Sequence, residues 1–524
     1  MKLHFSYKNL ERKLLLLSVF FTGGSVLVIE IIAMRILSPY FGNTLYTTSS
    51  VISVVLAALS LGYYWGGIIA DKYPRYDIFY LIIFLSGLLT LFTQFLYVVL
   101  LPIIALIFSI VIGPLISAPL LFFLPGFFLG ILSPFAIKLY QTDSEHIGQN
   151  SGKIFFCSTF GSIVGSLLCG FLLIPHIGIT TIVIGTGTLL SAWGFIGFLI
   201  YRLKIFGQED FLKKNKEGMI MLILLFGIIF SLAYTDFSPR ELGVVFQKDG
   251  VYEKITIKND VWLGQPVRSL MQDKSSSAAM YLNSSDLVYD YTKYYALYQL
   301  FNLNPKRAFI IGGGAYSIPK ALLQDTPDVI IDVTEIEPEL FPLARQYFNL
   351  ADDPRLHNYT QDGRYFLKRT DQKYDVMVSD VYYSFFSIPV QFTTKEFFDL
   401  AKSKLETDGV FVGNFAGDLR QASPSFILSE MKTFKEVFPN SYFFAVVDPH
   451  IQQGQNIIFL GINGPQNIDF TGDLVLNNKN PILRSLPKKN IDISNFDFNR
   501  HKEITDNFAP VEYYISKVID QWHN

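Results

Sequence analysis

Four acids and a run of glycines carry the residue types in this chain that could do chemistry. The segment Lys306-Arg-Ala-Phe-Ile-Ile-Gly-Gly-Gly-Ala-Tyr-Ser317 is an apolar run closing on Gly312, Gly313 and Gly314. It predicts a buried strand turning tightly into a helix, with glycines that let the backbone approach a ligand closely. A second stretch, Asp332-Val-Thr-Glu-Ile-Glu337, brings an acid about 20 residues further on, the spacing at which a doubly wound sheet takes ribose hydroxyls. Asp362-Gly363 follows an extended piece, and Tyr374-Asp-Val-Met-Val-Ser-Asp380 is a strand ending in an acid. In such a sheet ligands sit beyond the carboxyl ends of the strands. Glu335, with Glu337 beside it, is therefore expected at a ribose, Asp362 at an adenine amino group and Asp380 at the reacting centre. Singly, each acid fits a solvated loop or a helix cap equally well. Their arrival on successive strand ends favours a shared site. The sequence has no P-loop lysine motif and no His-Cys-Asp cluster, so phosphoryl transfer and metal-assisted hydrolysis are poorly supported and no metal is expected.

The elements that must position these residues alternate as βαβ units. Helices are expected at Ile318–Gln324, Leu340–Phe348, Thr394–Leu405 and Ser425–Phe438. Strands are expected at Val329–Glu335, Gly409–Asn414, Tyr442–Val447 and Asn456–Leu460. Upstream, Val251–Lys258 and Val267–Gln272 alternate as half-buried strands do, and Ala279–Leu282 is a short apolar run, so a small β-lobe precedes the main sheet. Leu287–Leu300 reads as an aromatic helix whose tyrosines are assigned to core packing, Tyr289 excepted.

The first part of the chain has a different texture. Of 524 residues, 50% are hydrophobic and only 17% charged, and the charges are sparse before about Leu203. That balance puts part of the chain in a lipid bilayer. Spans are expected at Leu14–Ile36, Thr48–Ala70, Ile78–Leu100, Pro114–Leu139, Lys153–Ile174, Thr180–Tyr201 and Met219–Tyr234, with the short run Ile103–Gly113 either re-entrant or a further tight helix. Lysines and arginines fall before the first span and in the even-numbered loops, which places the N-terminus in the cytoplasm. Seven spans then deliver the soluble part outside, whereas a nucleotide-type ligand argues for the cytoplasm; the two criteria disagree. Gly62, Gly66, Gly67, Gly126, Gly130, Gly161, Gly165 and Gly170 read as helix-packing positions. Glu30 and Arg35 within the first span, and a loop at Ala70–Arg75 that weakly resembles one of major-facilitator transporters, keep a transport reading open. Both cysteines, Cys157 and Cys169, lie in one span, so no disulfide framework is expected. With a formal net charge of -2 and no basic run in the soluble part, no nucleic-acid partner is expected.

From Val251 to about Glu512 the chain resembles the spermidine synthase family of polyamine aminopropyltransferases, specifically those fused to a multi-span membrane domain. Ile311-Gly-Gly-Gly314, Thr334-Glu-Ile-Glu337, Asp362-Gly363, Tyr374–Asp380, Phe392-Thr-Thr-Lys-Glu-Phe-Phe398 and Asp506-Asn-Phe-Ala-Pro-Val-Glu512 carry the resemblance by their order and spacing. It implies a membrane domain (1–240), a small β-lobe with a linking helix (241–300) and a class I methyltransferase-like, Rossmann-like α/β domain (301–524). It also implies decarboxylated S-adenosylmethionine as co-substrate, methylthioadenosine as by-product and an amine, putrescine-like, as acceptor. Glu335 then matches the ribose-binding acid, Asp362 the adenine-contacting one, Asp380 the acid that accepts a proton from the attacking amine, and Tyr289 a tyrosine of the polyamine pocket. Tyr383, in the aromatic loop Tyr382–Phe386, is a second acceptor-side candidate. Two departures stand out. Ala315 replaces an aspartate that grips the aminopropyl amine, and the loop after Asp380 lacks a second aspartate and a Gly-Pro. Three readings follow: a multi-pass cell-membrane aminopropyltransferase using S-adenosylmethionine or its decarboxylated form, a transporter or sensor binding an adenosyl ligand without turnover, and an S-adenosylmethionine-dependent methyltransferase. A homodimer stays open.

Overall fold

The computed structural model describes residues 2–141, 146–206, 208–234, 242–301, 304–381, 388–421 and 423–522. Contacts divide the chain into two compact units, Met1–Arg240 and Glu241–Asn524.

In the first unit, six helices among the described residues are long and apolar enough to cross a membrane: Asn9–Phe41, Leu45–Lys72, Tyr76–Ile107, Ile112–Tyr140, Ile147–His176 and Ile179–Leu203. The sequence predicts about seven. The last expected span falls on the Gln208–Tyr234 helix, whose apolar stretch, Ile220–Tyr234, is shorter than the roughly 20 residues that the hydrocarbon layer asks of a helix. The Ile103–Gly113 run is neither re-entrant nor a helix of its own. The third helix continues through Pro102 to Ile107, and the fourth begins at Ile112.

Lipid is as apolar as leucine, so these helices associate by close approach rather than by hydrophobic burial. A methyl group at Gly62 would strike the Phe127 carbonyl and Gly130, one at Gly161 the Phe20 carbonyl, and one at Gly165 the backbone of Gly24. Gly67 and Gly170 have nothing within 4 Å of such a group and are not packing positions. Leu56, Leu106, Phe156, Phe171 and Leu189 point outward and supply an apolar exterior. At one end, the buried Asp77 carboxylate takes Nε and Nη2 of Arg75 at 3.0 and 2.7 Å and Nη1 of Arg202 at 2.8 Å, joining the start of the third helix to the end of the sixth. Glu30 and Arg35 are both half-buried on the first helix.

The second unit opens with an antiparallel sheet in the order β1-β2-β3-β4, formed by Val244–Asp249, Lys254–Trp262, Gln265–Gln272 and Ser275–Tyr281. The 3-10 segment Asp290–Phe301 links it to the main sheet. There β5 (Arg307–Ile311), β6 (Ile330–Glu335), β7 (Leu356–Thr360), β8 (Tyr374–Ser379) and β9 (Leu405–Gly417) run parallel. β10 (Ser441–Ala445) and β11 (Gln455–Ile462) close one edge antiparallel. The order β10-β11-β9-β8-β5-β6-β7 reverses direction at β5 and β8, the Rossmann-like arrangement expected. Both faces are covered, which is why the strands read as continuous apolar runs. Ile310, Val333, Val378 and Val412 point into one layer, and Phe309, Met377, Phe411 and Phe459 into the other.

Replacing Gly62 by valine is expected to lower the melting temperature of the detergent-purified protein, at a cost of about 1–3 kcal/mol for overpacking. Gly67→Val, on the same helix, is expected to leave it unchanged; equal effects would show that close approach is not what holds these helices.

Candidate functional site

The glycine turn sits at the reversal between β5 and β8, where the loops leaving the two strands part and open a crevice. Gly312 (φ +90°) and Gly314 (φ +50°) are left-handed, and a side chain at Gly312 would collide with the Asp380 carbonyl, so the turn lies directly on the loop after β8. From the end of β6, Glu335 closes the turn. Its Oε2 accepts from the amides of Gly313 and Gly314 at 2.9 and 3.1 Å, and its Oε1 from Glu337 at 2.9 Å. Burial raises the Glu335 carboxyl above the ordinary carboxylate range, and these amides hold it down.

Asp362 caps the Gly363–Arg369 helix, its Oδ1 accepting from the Tyr365 amide at 2.8 Å and its Oδ2 from Gln391 Nε2 at 3.3 Å. Gly363 allows this helix to start against β5 and β6, because a Cβ there would meet Ile311 Cγ2 at 2.5 Å and Thr334 Oγ1 at 2.9 Å. The same helix is anchored from outside. Arg364 grips Asp506 with two bonds of 2.7 and 2.6 Å and also donates to the Gln391 carbonyl at 3.2 Å. Asp506 thus acts on Asp362 through Arg364 and Gln391.

Asp380 ends β8. Its Oδ1 accepts from Asn414 Nδ2 at 3.0 Å, and Asn414 Oδ1 in turn accepts from Asn456 Nδ2 at 2.9 Å. The Tyr291 hydroxyl lies against Asp380, with the Ser277 carbonyl 3.0 Å away as an alternative acceptor for its one proton. Burial pushes the Asp380 carboxyl up to about 6, against the bonds from Asn414 and Tyr291, which favour its ionised form.

One cavity of about 490 Å³ joins these groups; Gly312, Gly313, Gly314, Glu335, Asp362, Gly363 and Asp380 all line it. Glu337 does not. It is fully buried behind the wall, where Oε2 accepts from the Tyr252 amide at 2.9 Å and ties the small sheet to the main one. Tyr289 is also set back, its hydroxyl 2.5 Å from Ser276 Oγ and its ring against Trp262 and Tyr291. It meets the cavity through Ser276 and Tyr291, both of which line it. Tyr383 and the rest of the 382–387 loop lie outside the described residues. Tyr291, Asn414, Asn456 and Gln391 line the cavity and are missed by the sequence reading. Asn414 had the same signal as Asp380, a polar residue ending an apolar strand. Tyr291 had none, being one of a cluster of tyrosines. Among the described residues no group of three or more metal-ligating side chains occurs.

Residues 295–470 match the spermine/spermidine synthase domain family. The polyamine aminopropyltransferase of Vibrio vulnificus (strain CMCP6) is 27% identical over 42% of this chain and 74% of its own length. Polyamine aminopropyltransferase 2 of Aquifex aeolicus (strain VF5) is 23% identical over 86% of this chain and 88% of its own, so the likeness extends into the first, helical unit. A crystal structure of a probable spermidine synthase from Corynebacterium glutamicum ATCC 13032 superposes with a TM-score of 0.42 at 21% identity, covering 50% of this chain and 96% of that one.

Asn414→Ala removes a donor that favours the ionised form of Asp380, so the Asp380 carboxyl should rise further. The acid limb of a pH–rate profile, expected near 6 in the parent, should move up by roughly one unit. An unmoved limb would show that Asn414 does not tune this acid.

Proposed function

We propose, from the premise that this chain is a polyamine aminopropyltransferase-like transferase carrying a spermidine synthase family domain, that the cavity binds an S-adenosylmethionine-type sulfonium donor and transfers its aminopropyl-type chain to an amine. The observation that carries this reading is the convergence of Glu335, Asp362 and Asp380 on one cavity at the carboxyl ends of neighbouring strands.

Glu335, fixed by the glycine-turn amides, is assigned the ribose hydroxyls, and Asp362, on the same cavity, the adenine amino group. The glycines give the nucleoside its close approach to the backbone. Asp380 is assigned the role of base. The amine nitrogen attacks the carbon next to the sulfonium as the carbon–sulfur bond breaks. The bonding pair stays on sulfur, methylthioadenosine leaves, and the proton lost by nitrogen goes to Asp380. With its carboxyl near 6, Asp380 is mostly ionised at neutral pH and becomes protonated as pH falls below that value. Activity should therefore fall on the acid side. Tyr289 and Tyr383 are assigned to the acceptor side, Tyr289 acting through Ser276.

The six long apolar helices support a multi-pass protein anchored in a lipid bilayer. A methyltransferase reading shares the nucleoside half of the cavity and differs in which carbon meets the nucleophile. The sensor reading shares the binding and lacks the proton transfer.

Asp380→Asn separates these readings. Turnover to methylthioadenosine, followed by mass spectrometry with an amine present, should fall by roughly 10²–10⁴-fold while nucleoside affinity is kept. S-adenosylhomocysteine as the product, or turnover unaffected by the substitution, would overturn the assignment.

A further inference from the structure

The turn between β2 and β3 carries a residue that its backbone does not favour. Leu263 and Gly264 both have positive φ, +49° and +79°, between the paired residues Trp262 and Gln265. The first position of such a two-residue turn suits asparagine, aspartate or glycine, and a large aliphatic side chain is crowded there. Leu263 gains no burial in return, because it is 86% exposed. A leucine kept in a strained conformation and pointed outward is an outlier from which a function can be inferred.

Its neighbours extend the apolar surface. Val261 is 66% and Leu242 93% exposed, and Trp262, Val244 and Val245 are open as well. The Asn259 amide donates to the Gly243 carbonyl at 2.8 Å, so the start of β1 lies beside the end of β2 and the two groups make one patch. Behind the patch the hairpin is basic. It carries Lys254, Lys258 and Arg268, and its acid, Asp260, pairs with Lys258 at 3.1 Å. Arg268 is bonded to neutral acceptors, Asn259 Oδ1 at 3.0 Å and the Tyr347 carbonyl at 3.1 Å. Aliphatic residues at a tip, a tryptophan at its base and cations behind it suit the boundary of a bilayer. Tryptophan settles at headgroup level there, and lysine and arginine meet anionic lipid.

The chain brings its own bilayer close. The Gln208–Tyr234 helix packs on the third and sixth long helices and exposes Met221, Leu224, Ile228 and Tyr234. Leu242 follows Tyr234 by eight residues, a reach of about 29 Å at full extension.

We propose that the β2–β3 tip and the start of β1 form a lipid-docking surface, with Leu242, Val261 and Leu263 entering the headgroup boundary and Trp262 lying at it. The surface has a path to the cavity. The Trp262 ring stands edge-on to Tyr289 at 5.2 Å, and Tyr289 meets Ser276 and Tyr291 on the cavity wall. This inference does not depend on which group the cavity transfers.

The test puts a nitroxide on Leu263→Cys in the full-length protein, with Cys157 and Cys169 replaced by serine, in phosphatidylcholine–phosphatidylglycerol nanodiscs. Oxygen concentrates in lipid and a nickel chelate stays in water. The ratio of oxygen to nickel collisions should be several-fold higher at 263 than for the same label on the exposed Val447→Cys. Leu263→Asn suits the left-handed turn and should not lower the melting temperature. It should nevertheless cut the oxygen preference of a label on Val261→Cys several-fold. A label at 263 as open to nickel as one at 447, or an oxygen preference at 261 that survives Leu263→Asn unchanged, overturns the proposal. Shielding from both probes, or spin–spin broadening that vanishes on dilution with unlabelled protein, also overturns it, since protein or a second copy would then cover the tip.

Discussion

The glycine turn is held by one carboxylate, and most of the candidate site depends on that interaction. Two left-handed glycines leave successive backbone amides pointing the same way, and Glu335 from the neighbouring strand accepts from them. A buried carboxylate is unfavourable unless hydrogen bonds compensate it, and buried amides are equally unfavourable without an acceptor. Each solves the other's problem. The result fixes the end of β5 against the end of β6, and Gly312 lies so close to the Asp380 carbonyl that the exit of β8 is fixed as well. Further along the same wall, Tyr316 is held left-handed and fully buried, its hydroxyl bonded to Asn358, and its ring fills the space beside Gly313.

Around that fixed turn the acids differ because their surroundings differ. Asp362 spends one oxygen on a helix end and is steadied through Arg364 by a segment more than a hundred residues away in sequence. Asp380 has side-chain partners, an asparagine and a tyrosine, so burial is only partly offset and its carboxyl rises to about 6. Glu337 is drawn out of the cavity by the Tyr252 amide and becomes a joint between two sheets. Three carboxylates with similar sequence signals thus acquire three tasks, and hydrogen-bond donors decide which.

The membrane unit follows the same logic with other atoms. Where solvent cannot drive helices together, backbone proximity does, and the glycines that matter are those facing another backbone. Gly62 and Gly67 differ by five positions on one helix, yet only Gly62 is in contact with the opposing helix. Asp77 binds two arginines at the end of the bundle, where a lone buried carboxylate would be costly.

The sequence alone determined the division into an apolar helical part and an α/β part, the alternation of strands and helices, and the glycine turn with its acids. Hydrophobic period, glycine clusters and strand-ending acids are local properties, and local properties survive in a linear string. Tertiary structure decided that Glu337 and Tyr289 stand back from the cavity while Tyr291, Asn414, Asn456 and Gln391 line it. Among the described residues six rather than about seven helices are long and apolar enough to cross a membrane, because the apolar stretch of the last, Ile220–Tyr234, falls short. Tertiary structure decided, too, that β1 adds an edge strand to the small sheet. The reason is common to all of these: which way a polar side chain turns depends on donors and acceptors brought from distant parts of the chain, and no spacing within one segment encodes them.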